Sequence, residues 1–307
     1  MGTFVEGAVT VTVPATSANL GPGFDSLGLA LDLRDRLTGE VTGHGLEVVV
    51  EGAGAGAVPL DESHLVVRCM RAAFDAMAGQ PGGLRLHCVN VIPHARGLGS
   101  SSAAIVGGLV LARALVAGGE LLLDDDAVFR LAADIEGHPD NVAPALYGGF
   151  TISGHDTLPD GGEGFYAVCQ SVDPRVSAVV FVPPTGVETK VARGLLPARV
   201  PHADAAADAG RAALLVAALG GAPEHLLRAT RDYLHQDYRR AAMPDSLALV
   251  DKLRADGVPA VVSGAGPTVL AFCDGSDPRA AAALLERCPD GWDAHVLAVD
   301  LDGARLH

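Results

Sequence analysis

The chain has 307 residues, enough for two hydrophobic cores, and at 49% hydrophobic and 19% charged it reads as globular rather than disordered. Its formal net charge is −15 and it contains no run of Lys or Arg, which excludes the basic stripe that a nucleic-acid binder needs. The longest uncharged apolar stretches, 103–112 and 212–222, are about half of the ~20 residues a membrane span requires, and no basic residue precedes an apolar run at the start, so neither a membrane protein nor a signal peptide is expected.

The five cysteines, Cys69, Cys88, Cys169, Cys273 and Cys288, are scattered and never form a CxxC pair. That pattern opposes a disulfide framework or a cysteine zinc site and fits a reducing cytoplasm. The eleven histidines form no HxxxH pair with an acidic partner, so no dedicated transition-metal site is expected.

In chain order, Val9–Val13 alternates as a strand and meets Pro14, which is expected to stop it. A loop rich in hydroxyls and glycine follows from Pro14 to Gly28. Strands are expected at 46–50 and 84–91, with a helix at 65–78 between them. Residues 93–102 read as a loop and 103–116 as a strongly apolar helix. Asp125–Glu136 places Val128, Leu131, Ala132 and Ile135 on one helical face, with Asp124 or Asp125 as cap. Pro139 suits the first turn of a further short helix that Gly148–Gly149 ends. The Gly, Asp and Pro of 154–164 mark the expected boundary between two units, 1–160 and 161–307. Beyond it come a strand at 178–182, helices at 203–219, 223–243 and 245–255, strands at 260–263 and 268–273, a helix at 278–287 and a strand at 294–299. Strands and helices mix without a βαβ rhythm, which points to two α+β domains rather than a doubly wound sheet.

The segment Pro93-His94-Ala95-Arg96-Gly97-Leu98-Gly99-Ser100-Ser101-Ser102-Ala103 carries the clearest chemistry. Small residues let backbone N–H groups converge on an anion. The helix that follows adds free amides and a positive end of roughly +0.5 charge. It is not a Walker loop, because the only lysines are Lys190 and Lys252, and GxGxxG is missing because serines follow Gly99. A Gly/Ser connector capping a core helix would look the same in isolation. Two other stretches have ordinary readings when taken alone: Pro14–Gly28 as a capped turn, and Ser263-Gly264-Ala265-Gly266-Pro267-Thr268 as a hairpin tip.

Together, in this order and spacing, the three stretches resemble the GHMP kinase superfamily of small-molecule kinases. Within it the likeness is to the homoserine kinases, carried by PATSANLGPGFD at 14–25, EGHPDNVAPALYGGF at 136–150, TKVARGLLP at 189–197 and HQDYR at 235–239, and it covers almost the full chain. The resemblance implies a two-domain α+β fold. Its N-terminal domain is like ribosomal protein S5 domain 2, and its C-terminal domain is ferredoxin-like. ATP and Mg²⁺ are implied in the cleft, L-homoserine as phosphoryl acceptor, threonine synthesis as context, L-threonine as feedback inhibitor and a homodimer as assembly. By position the phosphate loop is Pro93, Arg96, Gly97, Leu98, Gly99, Ser100, Ser101, Ser102 and Ala103. Ser101 and Glu136 match the Mg²⁺ pair. Asn19, Asp25, Asp140, Asn141, Thr189, Arg193 and Arg239 match the substrate shell, with Asp140 and Asn141 at the reacting hydroxyl and no general base assigned. Relatives often carry Asn where His64 stands at the adenine border.

The residue types suit that chemistry. Phosphoryl transfer needs positioning and charge neutralisation more than covalent help. A carboxylate and a hydroxyl are oxygen ligands that Mg²⁺ accepts. Homoserine is a zwitterion, so its ammonium calls for Asp25 and its carboxylate for the forks of Arg193 and Arg239. His138 and His235 are expected as structural groups. From the sequence two alternatives stay open: a kinase of the same superfamily for an isoprenoid or sugar, and a non-catalytic relative acting as a sensor. The first would lack a use for Asp25. The second would not need the serine loop, Glu136 and Asp140-Asn141 intact.

Overall fold

The structure is a computed structural model that describes residues 3–77, 79–157 and 161–307. It contains two mixed α/β units built on separate sheets. The first sheet has seven strands: β1 (Val9–Asn19), β2 (Gly23–Thr42), β3 (Gly45–Gly52), β4 (Gly83–Asn90), β5 (Phe150–Thr157), β6 (Glu163–Gln170) and, from the far end of the chain, β11 (Arg305–Leu306). The 20-residue β2 organises it. Between Gly23 and Gly39 it pairs antiparallel with β1, with two register shifts, while Leu27–Leu29 pair with β5 and its second half with β4. Helices α1 (Leu65–Met77), α2 (Ser100–Ala114), α3 (Gly119–Leu122), α4 (Asp125–Glu136) and α5 (Val142–Tyr147) belong to this unit. The expected end of α1 at residue 78 lies outside the described residues.

The second sheet is antiparallel, in the order β10 (Asp293–Ala298), β7 (Val176–Val182), β9 (Val269–Asp274), β8 (Ala260–Val262). Around it stand α6 (Thr189–Gly194), α7 (His202–Gly221), α8 (Leu226–Ala229), α9 (Pro244–Ala255) and α10 (Pro278–Leu285). Central β7 is buried on both faces and sorts its residues by the two-residue period of a strand. Val176, Ala178, Val180 and Val182 join the core shared with the first unit, while Val179 and Phe181 pack with Leu247, Val250 and Leu253 of α9. This sheet with α9 and α10 on one face is the ferredoxin-like half.

Several local expectations change. Pro14 does not end β1. It sits at a register shift between Pro14 and Ala15, where a bulge tolerates its missing N–H, and the strand runs on to Asn19. The expected loop 14–28 is therefore two strands and a tight turn, with Asn19, Leu20 and Asp25 at positive φ. The serines expected in the loop form the first turn of α2. Pro139 precedes α5 rather than opening it. The expected single helix 223–243 is broken into a 3₁₀ turn (Pro223–His225), α8, an irregular stretch and a second 3₁₀ segment (Asp237–Ala242). Residues 154–164 are largely the hairpin between β5 and β6, with 158–160 outside the described residues, and β6 pairs along its length with β5. A Gly/Asp/Pro run marks a hairpin as well as a linker. By sheet membership we propose that the units divide between Gln170 and Val176 rather than after residue 160.

Candidate active site

Three strand-borne stretches meet at one point. The backbone N–H of Thr16 donates to Leu98 O at 3.0 Å, and Gly264 N–H donates to Ala18 O at 3.1 Å. The Ser263 hydroxyl lies 2.6 Å from Gly97 O and 2.8 Å from Ser17 Oγ. The three motifs read separately in the sequence are thus one hydrogen-bonded knot. Its centre is the start of α2, where Gly99 at φ 69° caps the helix and leaves the first-turn amides of Ser100–Ser102 without intrahelical acceptors.

A side chain at Gly99 would overlap Thr16 Oγ1 and take up a backbone conformation that costs other residues of order 1–3 kcal/mol. Gly99→Val is therefore expected to weaken nucleotide affinity by roughly tenfold or more in a folded protein. Calorimetry with ATP checks this, and unchanged affinity would place the phosphate loop elsewhere.

Glu136 ends α4, and its Oε1 accepts from Ser101 Oγ at 2.5 Å and from Ser102 Oγ at 2.9 Å. A carboxylate at a helix C-terminus opposes the dipole, so the start of α2, facing it, is the compensating positive end. One carboxylate with one hydroxyl and space for water is the oxygen set Mg²⁺ takes. Among the described residues no group of three or more His, Cys, Asp or Glu is placed to hold a metal ion.

A cavity of about 320 Å³ opens beside this pair, lined by Asn141, Asp140, Thr189, Arg193, Arg239 and Asn19 among others. Thr16 Oγ1 donates to Asn141 Oδ1 at 2.9 Å, and among the described residues the amide nitrogen of Asn141 has no hydrogen-bond partner. Asp140, 2% exposed, accepts from His138 Nδ1 at 2.8 Å. Burial works against charge on His138, but the hydrogen bond to Asp140 and the charges of Asp140 and Glu136 outweigh it, and its pKa is raised. A raised imidazole pKa adds stability that is fully present below the ordinary value near 6.5 and is lost as pH climbs through the raised one. In Asp140→Asn, burial and Arg193 are opposed only by Glu136, and His138 is expected to titrate below its ordinary value. The stability gap between the two proteins should then narrow above neutral pH. NMR titration of the ring and unfolding at several pH values check this, and an unmoved His138 would discard the pair as cause.

Arg239 is 1% exposed with no carboxylate partner. Its NH1 reaches Gly264 O and His235 Nδ1, both at 3.2 Å, and its Nε has no partner. His235 in turn donates from Nε2 to Gly21 O at 2.7 Å, which fixes its tautomer. Burial, with Asp232 and Arg239 acting in opposite senses, lowers the His235 pKa, in keeping with a neutral ring. The guanidinium carbons of Arg193 and Arg239 both lie over the Phe24 ring, 5.6 and 5.5 Å from its centre. Asp25 does not line the cavity. Both its oxygens accept from Arg193, at 2.6 and 3.0 Å. The expected clamp therefore carries an internal ion pair.

Of the expected loop, Gly97, Gly99, Ser100 and Ser101 line the cavity, and Ala103 lines a neighbouring one. Arg96 does not present its guanidinium there, because it donates to the carbonyls of Pro183, Pro184 and His94 and ties the loop to the second unit. Leu98 is core, and Ser102 is buried against Glu136. The neighbouring cavity, about 300 Å³, shares Ser100 and Ser101 and is bounded by His64, His94, Asp35 and Leu65. Burial lowers the pKa of both histidines, and His94 adds to the effect on His64, whose Nδ1 is buried and unpartnered. Thr16 and Phe24 had no mark of their own in the sequence beyond lying inside the first motif.

Models of the GHMP kinases N-terminal domain and the GHMP kinases C-terminal domain match residues 64–149 and 212–293. A homoserine kinase of Streptomyces avermitilis is 54% identical over 99% of this chain and 97% of its own length, and one of Clavibacter michiganensis subsp. michiganensis is 52% identical over 97% and 93%. The chain belongs to the homoserine kinases of the GHMP family. The crystal structure of a homoserine kinase from Cytophaga hutchinsonii superposes with a TM-score of 0.82 at 25% identity, covering 100% of this chain and 99% of that one. The two-domain GHMP kinase fold expected from the motifs is the fold of this chain, and family membership carries the use of ATP with it.

Proposed function

We propose that this chain transfers the γ-phosphoryl group of ATP to the side-chain hydroxyl of L-homoserine, giving ADP and O-phospho-L-homoserine on the way to threonine. The observation that carries the reading is the pairing of Ser101–Glu136, at the start of a helix with free amides, with a cavity bearing Asn141, Arg193 and Arg239. The two relatives named above, homoserine kinases at 52% and 54% identity, favour it over the isoprenoid, sugar and sensor alternatives.

Ser100 and Ser101 line both cavities, so a nucleotide lying across the helix start has its base toward His64 and its γ-phosphate toward Asn141. Glu136 and Ser101 would hold Mg²⁺, which when bound would neutralise phosphate charge. Thr16 orients Asn141, whose amide nitrogen donates to the acceptor hydroxyl and holds it in line. His138 keeps Asp140 fixed at the same place. No side chain is assigned as base, and the hydroxyl proton leaves late to a phosphate oxygen or water. A zwitterion fits head to tail against the Asp25–Arg193 pair, its ammonium toward Asp25 and its carboxylate toward Arg239 and the free Nε of Arg193. Among the described residues no helix is long and apolar enough to cross a membrane, which agrees with a cytoplasmic enzyme, and a homodimer is the assembly to test by sedimentation.

An ADP-release assay over a panel of amino acids, polyols and mevalonate tests the reaction. Turnover of homoserine alone is expected, and preference for a substrate without an amino group would overturn it. L-Threonine carries the same ammonium and carboxylate, so we expect inhibition competitive with homoserine, and a noncompetitive pattern would refute a shared clamp.

A further inference from the structure

A second cavity is larger than the catalytic one. It measures about 760 Å³, shares no lining residue with the site above and lies in the second unit between α7, α8, the 230–237 stretch and α9. Four arginines line it: Arg211, Arg228, Arg231 and Arg254. Other arginines of this acidic chain have carboxylate partners, as in Arg71–Glu62, Arg113–Asp125 and Arg240–Asp251, though Arg96 and Arg239 do not. Among the described residues none of these four lies within ion-pair distance of a carboxylate. Arg254 spends its fork on Thr230 Oγ1, Leu227 O and Ala260 O. Burial, and then Arg231 beside it, lowers its pKa against the opposing charge of Asp251. Arg231 lies over the Tyr233 ring, and Arg228 makes no side-chain bond. Arg211 Nε is buried with no hydrogen-bond partner.

Four acids share the wall, Glu224, Asp232, Asp237 and Asp251, and among the described residues none is within ion-pair distance of these arginines. Asp232 accepts from the backbone amides of Leu234, His235 and Gln236, and Asp237 and Asp251 are held by Arg240. Only Glu224, exposed, is left without such a bond. Guanidinium groups gathered in a concave site favour an oxyanion between them, and planar forks match phosphate and carboxylate oxygens. We propose that this cavity is a binding site for a small anion bearing two or more charges, with phosphate or carboxylate oxygens, separate from the catalytic cleft. Its volume lies within the range of small-molecule pockets.

The test is calorimetric titration of the full chain, its phosphate loop first filled with a non-hydrolysable ATP analogue. Inorganic pyrophosphate is used in one arm and citrate in the other, to tell phosphate from carboxylate recognition. One equivalent of at least one anion is expected to bind. The double variant Arg228→Gln/Arg231→Gln, changed at two exposed residues outside the catalytic machinery, should weaken it by about tenfold or more, with kcat for homoserine retained as evidence of folding. Arg211→Gln should weaken it independently. Saturable binding of neither anion, binding that disappears once the nucleotide analogue is in place, or binding undiminished in the variants would overturn the proposal.

Discussion

Glu136→Gln is expected to lower kcat by about 10²- to 10³-fold, the effect of removing one preorganised charge-stabilising group from a phosphoryl-transfer site. The substitution keeps an acceptor oxygen, so the hydroxyls of Ser101 and Ser102 can still donate, and the fold at the α2–α4 junction should survive. What disappears is the negative charge, and with it the affinity of the pair for a hard divalent cation. Raising Mg²⁺ should restore part of the rate, because the serine hydroxyl and the phosphates remain as ligands. The check is kcat measured across a Mg²⁺ titration, beside the unfolding midpoint of both proteins. Unchanged kcat at every Mg²⁺ concentration would remove Glu136 from the site. Equal loss of rate and of folding would make it a structural anchor for the two serines.

The site was legible to the extent that its chemistry sits in contiguous motifs. Gly97 to Ser102, Glu136 and Asp140-Asn141 are local in sequence, and the structure brings them to one place. Less legible was everything that depends on which partner a charged group finds. Asp25 and Arg193 were read as independent ends of a clamp, yet they lie 168 positions apart and satisfy each other. Arg96 has the right place for a phosphate ligand, but the carbonyls of Pro183 and Pro184, brought by the second unit, take its donors. The fold shows the same divide. Amphipathic α4 and its Asp124 cap follow directly from periodicity and capping chemistry. Pro14 inside β1 does not, because a bulge is set by the partner strand. The β5–β6 hairpin looked like a linker because composition marks a reversal of the chain without saying whether the strands on either side pair.

Arg239→Met is expected to cost about 10- to 100-fold in kcat/KM for homoserine, mainly through KM, while the KM for ATP moves little. Arg239 is almost fully buried, lacks a carboxylate and has an unpartnered Nε, a state that is uphill unless a ligand carboxylate completes it. Burial and the nearby Arg193 already press its pKa down, so an incoming carboxylate relieves a standing strain on the charge. Methionine approximates the side-chain volume without the charge, which limits the cavity left beside Phe24 and His235. Arg193→Ala differs in kind, because it also frees Asp25, and it should cost affinity at both ends of the zwitterion. The deciding comparison swaps the ligand. With 3-aminopropan-1-ol, which is homoserine without its carboxylate, the wild type should be slow and Arg239→Met no slower. If the variant instead lost the same factor with both acceptors, Arg239 would be holding Gly264 and His235 in place rather than reading the substrate, and the preference for an amino acid would have to come from another residue of the cavity.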